Sequence, residues 1–227
     1  RLLAQAGTPG AAHPGYGPLH TVRDLNTGLP LLQLPAGFSY TTFGWTNEPM
    51  SDGERTPDSH DGMGVVRAEG SVVTLVRNHE VKAAWGSFAP ASATYDPRCS
   101  GGTATLRFDT ASGRLLESRP SLGGTVNNCG GGTTPWGTWL SCEEIKTNAT
   151  SSTGRRHGYV FEVDAVAERT SGRPLIGMGR FSHEAVAIDP RTGVVYLTED
   201  DRNKSALYRY IPHDRAGRNT QRNRRRL

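Results

Sequence analysis

Phe108-Asp-Thr-Ala-Ser-Gly-Arg114 and Ile188-Asp-Pro-Arg-Thr-Gly-Val194 are near copies of one another, 80 residues apart. Each sets an Asp four residues before a Gly that can supply a positive φ, which is the chemistry of a turn joining two strands. An offset of 80 is two units of about 40 residues, the length of one four-stranded propeller blade. Asp-x-x-x-Gly turns also occur in other β-proteins, so a β-sandwich stays as the second architecture.

The sequence on either side of these turns has the same rhythm. Runs at 72–77, 103–109, 114–117, 138–143, 158–163, 185–189, 194–198 and 206–211 are mostly β-branched, aromatic or apolar, with turn residues between them. No 12-residue window carries an apolar helical stripe with caps at both ends. The fold class expected is all-β, a β-propeller. Residues 1–30, rich in Gly, Pro and Ala, read as an extended arm, and 31–214 as a partial propeller of roughly four blades at about 40–45 residues each. Residues 215–227 read as a disordered basic tail. The chain starts at Arg1 rather than Met, and its strand rhythm stops after Ile211-Pro212, so a portion upstream and further blades downstream are expected to be missing.

Composition removes several function classes. The 227 residues include 28 Gly and 14 Pro, a turn-rich content, and no run of about 18 apolar residues that would span a membrane. The net charge of +4 misleads, because six arginines lie in 215–227; without them 20 basic residues face 22 acidic ones. A net −2 body gives no reason to expect nucleic acid as a partner. Lysine occurs only at 82, 146 and 204 against 23 arginines, a bias that reads as GC-rich bacterial coding. Of Cys99, Cys129 and Cys142, at most one pair can bridge, and the sequence leaves open whether any does.

Four segments share a format in which a strand end delivers a carboxylate among small or polar residues: Arg77-Asn-His-Glu80, Trp139-Leu-Ser-Cys-Glu-Glu144, Phe181-Ser-His-Glu-Ala185 and Leu197-Thr-Glu-Asp-Asp201. The ordinary reading of any one is a solvated Glu. Propeller strand ends converge on a central channel, however, and carboxylates gathered there repel unless a cation lies between them. Oxygen donors suit calcium, and a thiolate beside them suits iron. Cys129, followed by three glycines that allow a ligand close to the backbone, reads as that thiolate. Cys142, alternating within a strand, reads as packing. The absence of Cys-x-x-Cys and His-x-x-x-His spacing argues against a structural zinc site.

Together, Cys129 and the run Trp136-Gly-Thr-Trp-Leu-Ser-Cys-Glu-Glu144, Arg77-Asn-His-Glu80, Pro49-Met-Ser-Asp-Gly53 and Gly179-Arg-Phe-Ser-His-Glu-Ala-Val-Ala-Ile-Asp189 resemble the PhoX family of bacterial alkaline phosphatases, over about residues 15–211. The resemblance implies a six-bladed type of propeller, export to the periplasm by the twin-arginine pathway, a monomer with no membrane span, and hydrolysis of small phosphate monoesters at iron and calcium. It implies that Glu80, Cys129 and Glu184 are catalytic, that Glu80, Cys129, Glu143, Glu144 and Glu184 bind metal, and that Asn78 and Asn128 contact substrate. On the family's pattern a twin-arginine signal is expected upstream of Arg1, and the phosphate-clamping arginine and a further acidic ligand in blades expected after Pro212; Arg218 and the arginines of 222–226 lie in no matching context. Low activity of the 227 residues alone is therefore expected. The rival readings are a calcium-dependent propeller lactonase or esterase, which needs no thiolate, and an inactive metal-binding propeller.

Overall fold

The computed structural model describes residues 15–150 and 152–213, and the basic tail lies outside them. The chain divides into two units, Arg1–Phe43 and Gly44–Leu227. In the first, β1 (His20–Val22) and β2 (Leu32–Leu34) pair antiparallel. Beside them the buried Asp24 carboxylate accepts from the backbone N–H and hydroxyl of Thr27 and of Thr42. Those four bonds fix two loops with one short side chain.

The second unit is three antiparallel meanders. The first is β3 (His60–Glu69), β4 (Val72–His79), β5 (Gly101–Asp109) and β6 (Arg114–Thr125) in that order. The second is β7 (Asn128–Thr133), β8 (Thr138–Glu143) and β9 (Val160–Asp164), and the third β10 (His183–Ile188), β11 (Val195–Glu199) and β12 (Leu207–Tyr210). No α-helix occurs among the described residues; the remaining elements are three single-turn 3-10 segments. The all-β expectation holds.

Sequential meanders pack face to face because each leaves an apolar side. Val66, Val76, Tyr95, Leu122, Trp139, Phe161 and Val163 fill the space between the first and second sheets. Leu140, Cys142, Val160, Met178, Phe181, Val186, Val195 and Leu197 fill that between the second and third. At about 1.5–3 kcal/mol for each large apolar side chain buried, these two layers supply most of what holds the sheets together. Strand β8 contributes to both layers and is buried along its whole length.

Two details of the sequence reading change. The twin turns both form as expected, with Gly113 at φ +67° and Gly193 at φ +70° and each Asp side chain accepting backbone N–H inside its turn. They are not equivalent, though. Asp109 begins the turn from the third to the fourth strand of its sheet, and Asp189 the turn from the first to the second. The described residues form three blade-like meanders, because the length allotted to a fourth is divided between 31–59, which hold only β2 and a Pro49–Arg55 bridge, and the first sheet, whose strands reach 10 and 12 residues and whose β4–β5 connection covers 80–100.

Candidate metal centre

Each meander opens with a polar residue, a ligand-type residue and a small one: His60-Asp61-Gly62, Asn128-Cys129-Gly130 and His183-Glu184-Ala185. In each, the opening residue pairs with the end of the second strand: His60 with His79, Asn128 with Glu143, His183 with Glu199. The next residue is Glu80, Glu144 or Asp200. The same two positions of every sheet thus carry an acidic side chain or a thiol, and the period is structural rather than a repeat of sequence.

The first strands come together because they lack side chains where they meet. A Cβ on Gly62 would stand 2.7 Å from the carbonyl oxygen of Cys129, one on Gly130 2.3 Å from that of Glu184, and one on Gly132 2.0 Å from that of Val186. Strand β7 therefore sits between β3 and β10 at backbone contact.

At that junction the Cys129 sulfur lies 3.5 Å from Glu184 Oε2 and 3.4 Å from the His183 carbonyl. Donor atoms of Cys129, Glu144 and Glu184 all fall within 4.8 Å of one another. Burial, with the Glu184 charge alongside, pushes the Cys129 thiol far above its ordinary pKa. Burial also raises the carboxyls of Glu144 and Glu184, and Glu80 and Asp200 add to both, with Asp61 adding to Glu184. All these effects disfavour the anionic forms, and a cation among the side chains reverses them. A thiol with several carboxylates fits iron and calcium by donor type.

The other residues picked from the sequence are distributed unevenly. Glu80 is partly exposed, 3.7 Å from the ammonium of Lys82. Glu143 departs from expectation. It faces away from the thiol, fully buried, and its two oxygens accept from the N–H of Val126, Gly158 and Tyr159 and from His157 Nδ1. Alternation along β8 is the reason, since consecutive side chains take opposite faces. Asn78 and Asn128 depart too, being fully buried. Asn78 donates to the carbonyls of Cys129 and Gly130 and accepts from Trp139 Nε1 and Ser141 Oγ, which uses all its capacity. Asn128 accepts from Thr125 and donates to Ser141. Both side chains spend their hydrogen bonds inside the protein.

Asp61 lies outside the four carboxylate segments of the sequence, and Asp200 lies within the fourth, Leu197-Thr-Glu-Asp-Asp201. Asp61 stands in a polar, glycine-containing strand without an apolar signal, and only its register with Cys129 and Glu184 marks it. Asn127, at φ +56°, turns the chain from β6 into β7 and donates to the carbonyl and carboxylate of Glu144, fixing that side chain beside Cys129.

The family described as alkaline phosphatase PhoX matches residues 14–115 and 93–227. The chain belongs to the PhoX family. Pseudomonas fluorescens PhoX, solved in complex with vanadate, a transition state analogue, is similar in structure with a TM-score of 0.57 and 19% identity. The similarity covers 80% of this chain and 47% of that one, so the chain spans about half the length of that relative. What the two share at this identity is the fold, a β-propeller. A search of curated protein sequences finds no match. In this PhoX-family chain, Trp139 and the run leading to Glu144 belong to the scaffold of the thiol: the Trp139 indole holds Asn78, and Asn78 holds the backbone of Cys129.

Proposed function

We propose that this PhoX-family chain takes part in hydrolysis of small phosphate monoesters at an iron and calcium centre held by Cys129, Glu144 and Glu184, with Glu80 at its margin. The observation that carries this reading is the convergence of the Cys129 thiol with the Glu144 and Glu184 carboxylates, donors within 4.8 Å of one another. Asp61 and Asp200 extend the set by their register. Bound there, iron and calcium would neutralise charge developing on the phosphoryl oxygens.

The chain's own residues prepare that environment. Asn127 orients Glu144, Asn78 ties the Cys129 carbonyl, and Gly130 lets Glu184 approach. Family membership supports export to the periplasm, and the reading takes the protein as a monomer acting on soluble esters. No helix among the described residues is long and apolar enough to cross a membrane.

The test compares p-nitrophenyl phosphate with a lactone on protein loaded with ferric iron and calcium. Release of p-nitrophenol that is lost in Glu184→Ala supports the reading. Lactone hydrolysis without phosphate hydrolysis, or phosphatase activity unaffected by both Glu184→Ala and Cys129→Ser, overturns it.

A further inference from the structure

A second group of metal-type donors lies away from Cys129, where the connection before β5 meets the connection before β9. It consists of Asp96, Cys99 and His157, whose donor atoms lie within 4.8 Å of one another. Cys99 and His157 have no exposed surface and Asp96 has 1%. His157 Nε2 stands 3.6 Å from Cys99 Sγ and 3.5 Å from Asp96 Oδ2. The first is within hydrogen-bond reach of a sulfur, and the second is long for a hydrogen bond to oxygen. Donors bonded at about 2.0–2.3 Å to one tetrahedral ion are held roughly 3.3–3.6 Å apart, close to the spacing seen here.

The surroundings have the form of a metal site's outer shell. His157 Nδ1 lies 2.7 Å from Glu143 Oε1, which places a proton on Nδ1, and Nε2 faces the thiol and carboxylate; although burial opposes it, Cys99 and Glu143 favour a second ring proton there, the one a bound ion would displace. Asp96 is itself oriented by the backbone N–H groups of Arg98 and Arg155. A thiolate and a carboxylate together balance the charge of one divalent cation, which buried sites require.

We infer that Asp96, Cys99 and His157 form a structural site for one divalent ion of zinc type, separate from the Cys129 centre. Sulfur, nitrogen and a single carboxylate are zinc donors, whereas calcium asks for six to eight oxygens. Three protein ligands leave one tetrahedral corner for a water. The ligand spacing, Asp96-x-x-Cys99 with His157 far along the chain, matches no zinc motif, which is why the sequence argued against zinc. The ion would pin the loop preceding β5 to the loop preceding β9, joining the first and second sheets, and would bind as the chain folds, since the site is closed.

Zinc and cobalt(II) are the probes, each added to the whole chain and followed by dialysis against a chelator. Two variants separate the sites, Cys99→Ala and Cys129→Ala. The expected result is about one equivalent of zinc retained by Cys129→Ala protein, with zinc–sulfur scattering at about 2.3 Å in X-ray absorption. Cobalt should give that protein a thiolate charge-transfer band, and adding Cys99→Ala in the Cys129→Ala background should lower this signal at least tenfold. The unmutated chain provides the same reading if either variant fails to fold, because a tetrahedral cobalt–thiolate spectrum coordinated by one sulfur and one imidazole requires the Cys99 site: the Cys129 group holds no histidine. Zinc bound through oxygen and nitrogen alone, a thiolate band that disappears with Cys129 and not with Cys99, or no retained ion overturns the inference.

Discussion

Glu143 and Glu144 are adjacent in the chain, yet their carboxylates serve different sites. Glu143 is fully buried and accepts four hydrogen bonds from Val126, His157, Gly158 and Tyr159, whereas Glu144 joins the Cys129 and Glu184 group. The sequence pairs them as like residues, but the strand separates them by face.

This division predicts opposite phenotypes. Glu143→Gln puts an amide where donors already point, so it loses acceptors in a buried network and should cost about 3 kcal/mol. For a domain of this size that lowers the melting temperature by roughly 6–12 °C. Glu144→Gln should leave melting within about 2 °C and reduce retained iron or calcium instead. Thermal melts beside elemental analysis check both, and an equal loss of metal from the two variants would show that Glu143 belongs to the centre after all.

The cysteines give a second contrast. Protein loaded with iron should show charge-transfer absorbance in the visible, which Cys129→Ser should remove while the β-sheet circular dichroism stays, because a hydroxyl is a poor replacement for a thiolate on iron. Cys142 lies in the apolar layer with Leu140, Val160 and Val186. Its change to Ser buries an unpartnered hydroxyl, so it should cost about 1–3 kcal/mol with the colour retained. The reverse pattern would assign the iron to Cys142.

Asn78 separates a strap from a substrate contact. Asn78→Asp keeps the shape but sets a carboxylate against the carbonyls of Cys129 and Gly130, which the amide had satisfied. The expected outcome is a loss of about 2–4 kcal/mol in stability. At a temperature where the variant stays folded, KM for p-nitrophenyl phosphate should change less than twofold. A large rise in KM with unchanged melting would return Asn78 to the substrate.

The all-β class and the later strands of each sheet were legible because they carry apolar and β-branched residues. Strands β8 and β11 fall within one residue of their expected bounds. Strand β3 was not legible, since His60-Asp61-Gly62 has no apolar period. Of the centre, Cys129, Glu144 and Glu184 could be read from type and context, but the separation of Glu143 from Glu144 depends on which face each residue occupies. Asp61 depends on long-range register, and so does the buried meeting of Asp96 and Cys99 with His157. A single sequence supplies neither.

Gly130 tests whether close strand contact is what assembles the centre. Its φ lies outside the left-handed region, so alanine there brings no backbone strain, only a methyl 2.3 Å from the Glu184 carbonyl oxygen and 3.3 Å from Glu184 Oε1. Backbone on both sides cannot swing away as a flexible side chain would, so β10 must move from β7 by several tenths of an ångström or more. Gly113 is the control: its φ is +67° and a Cβ there meets nothing, so alanine should cost about 1 kcal/mol through strain alone and leave the centre untouched. Gly130→Ala should weaken metal retention at least tenfold at a temperature where the sheets remain folded, with Gly113→Ala retaining metal at the wild-type level. Equal retention by both variants would mean that the spacing of β7 and β10 does not govern the meeting of Cys129 with Glu184.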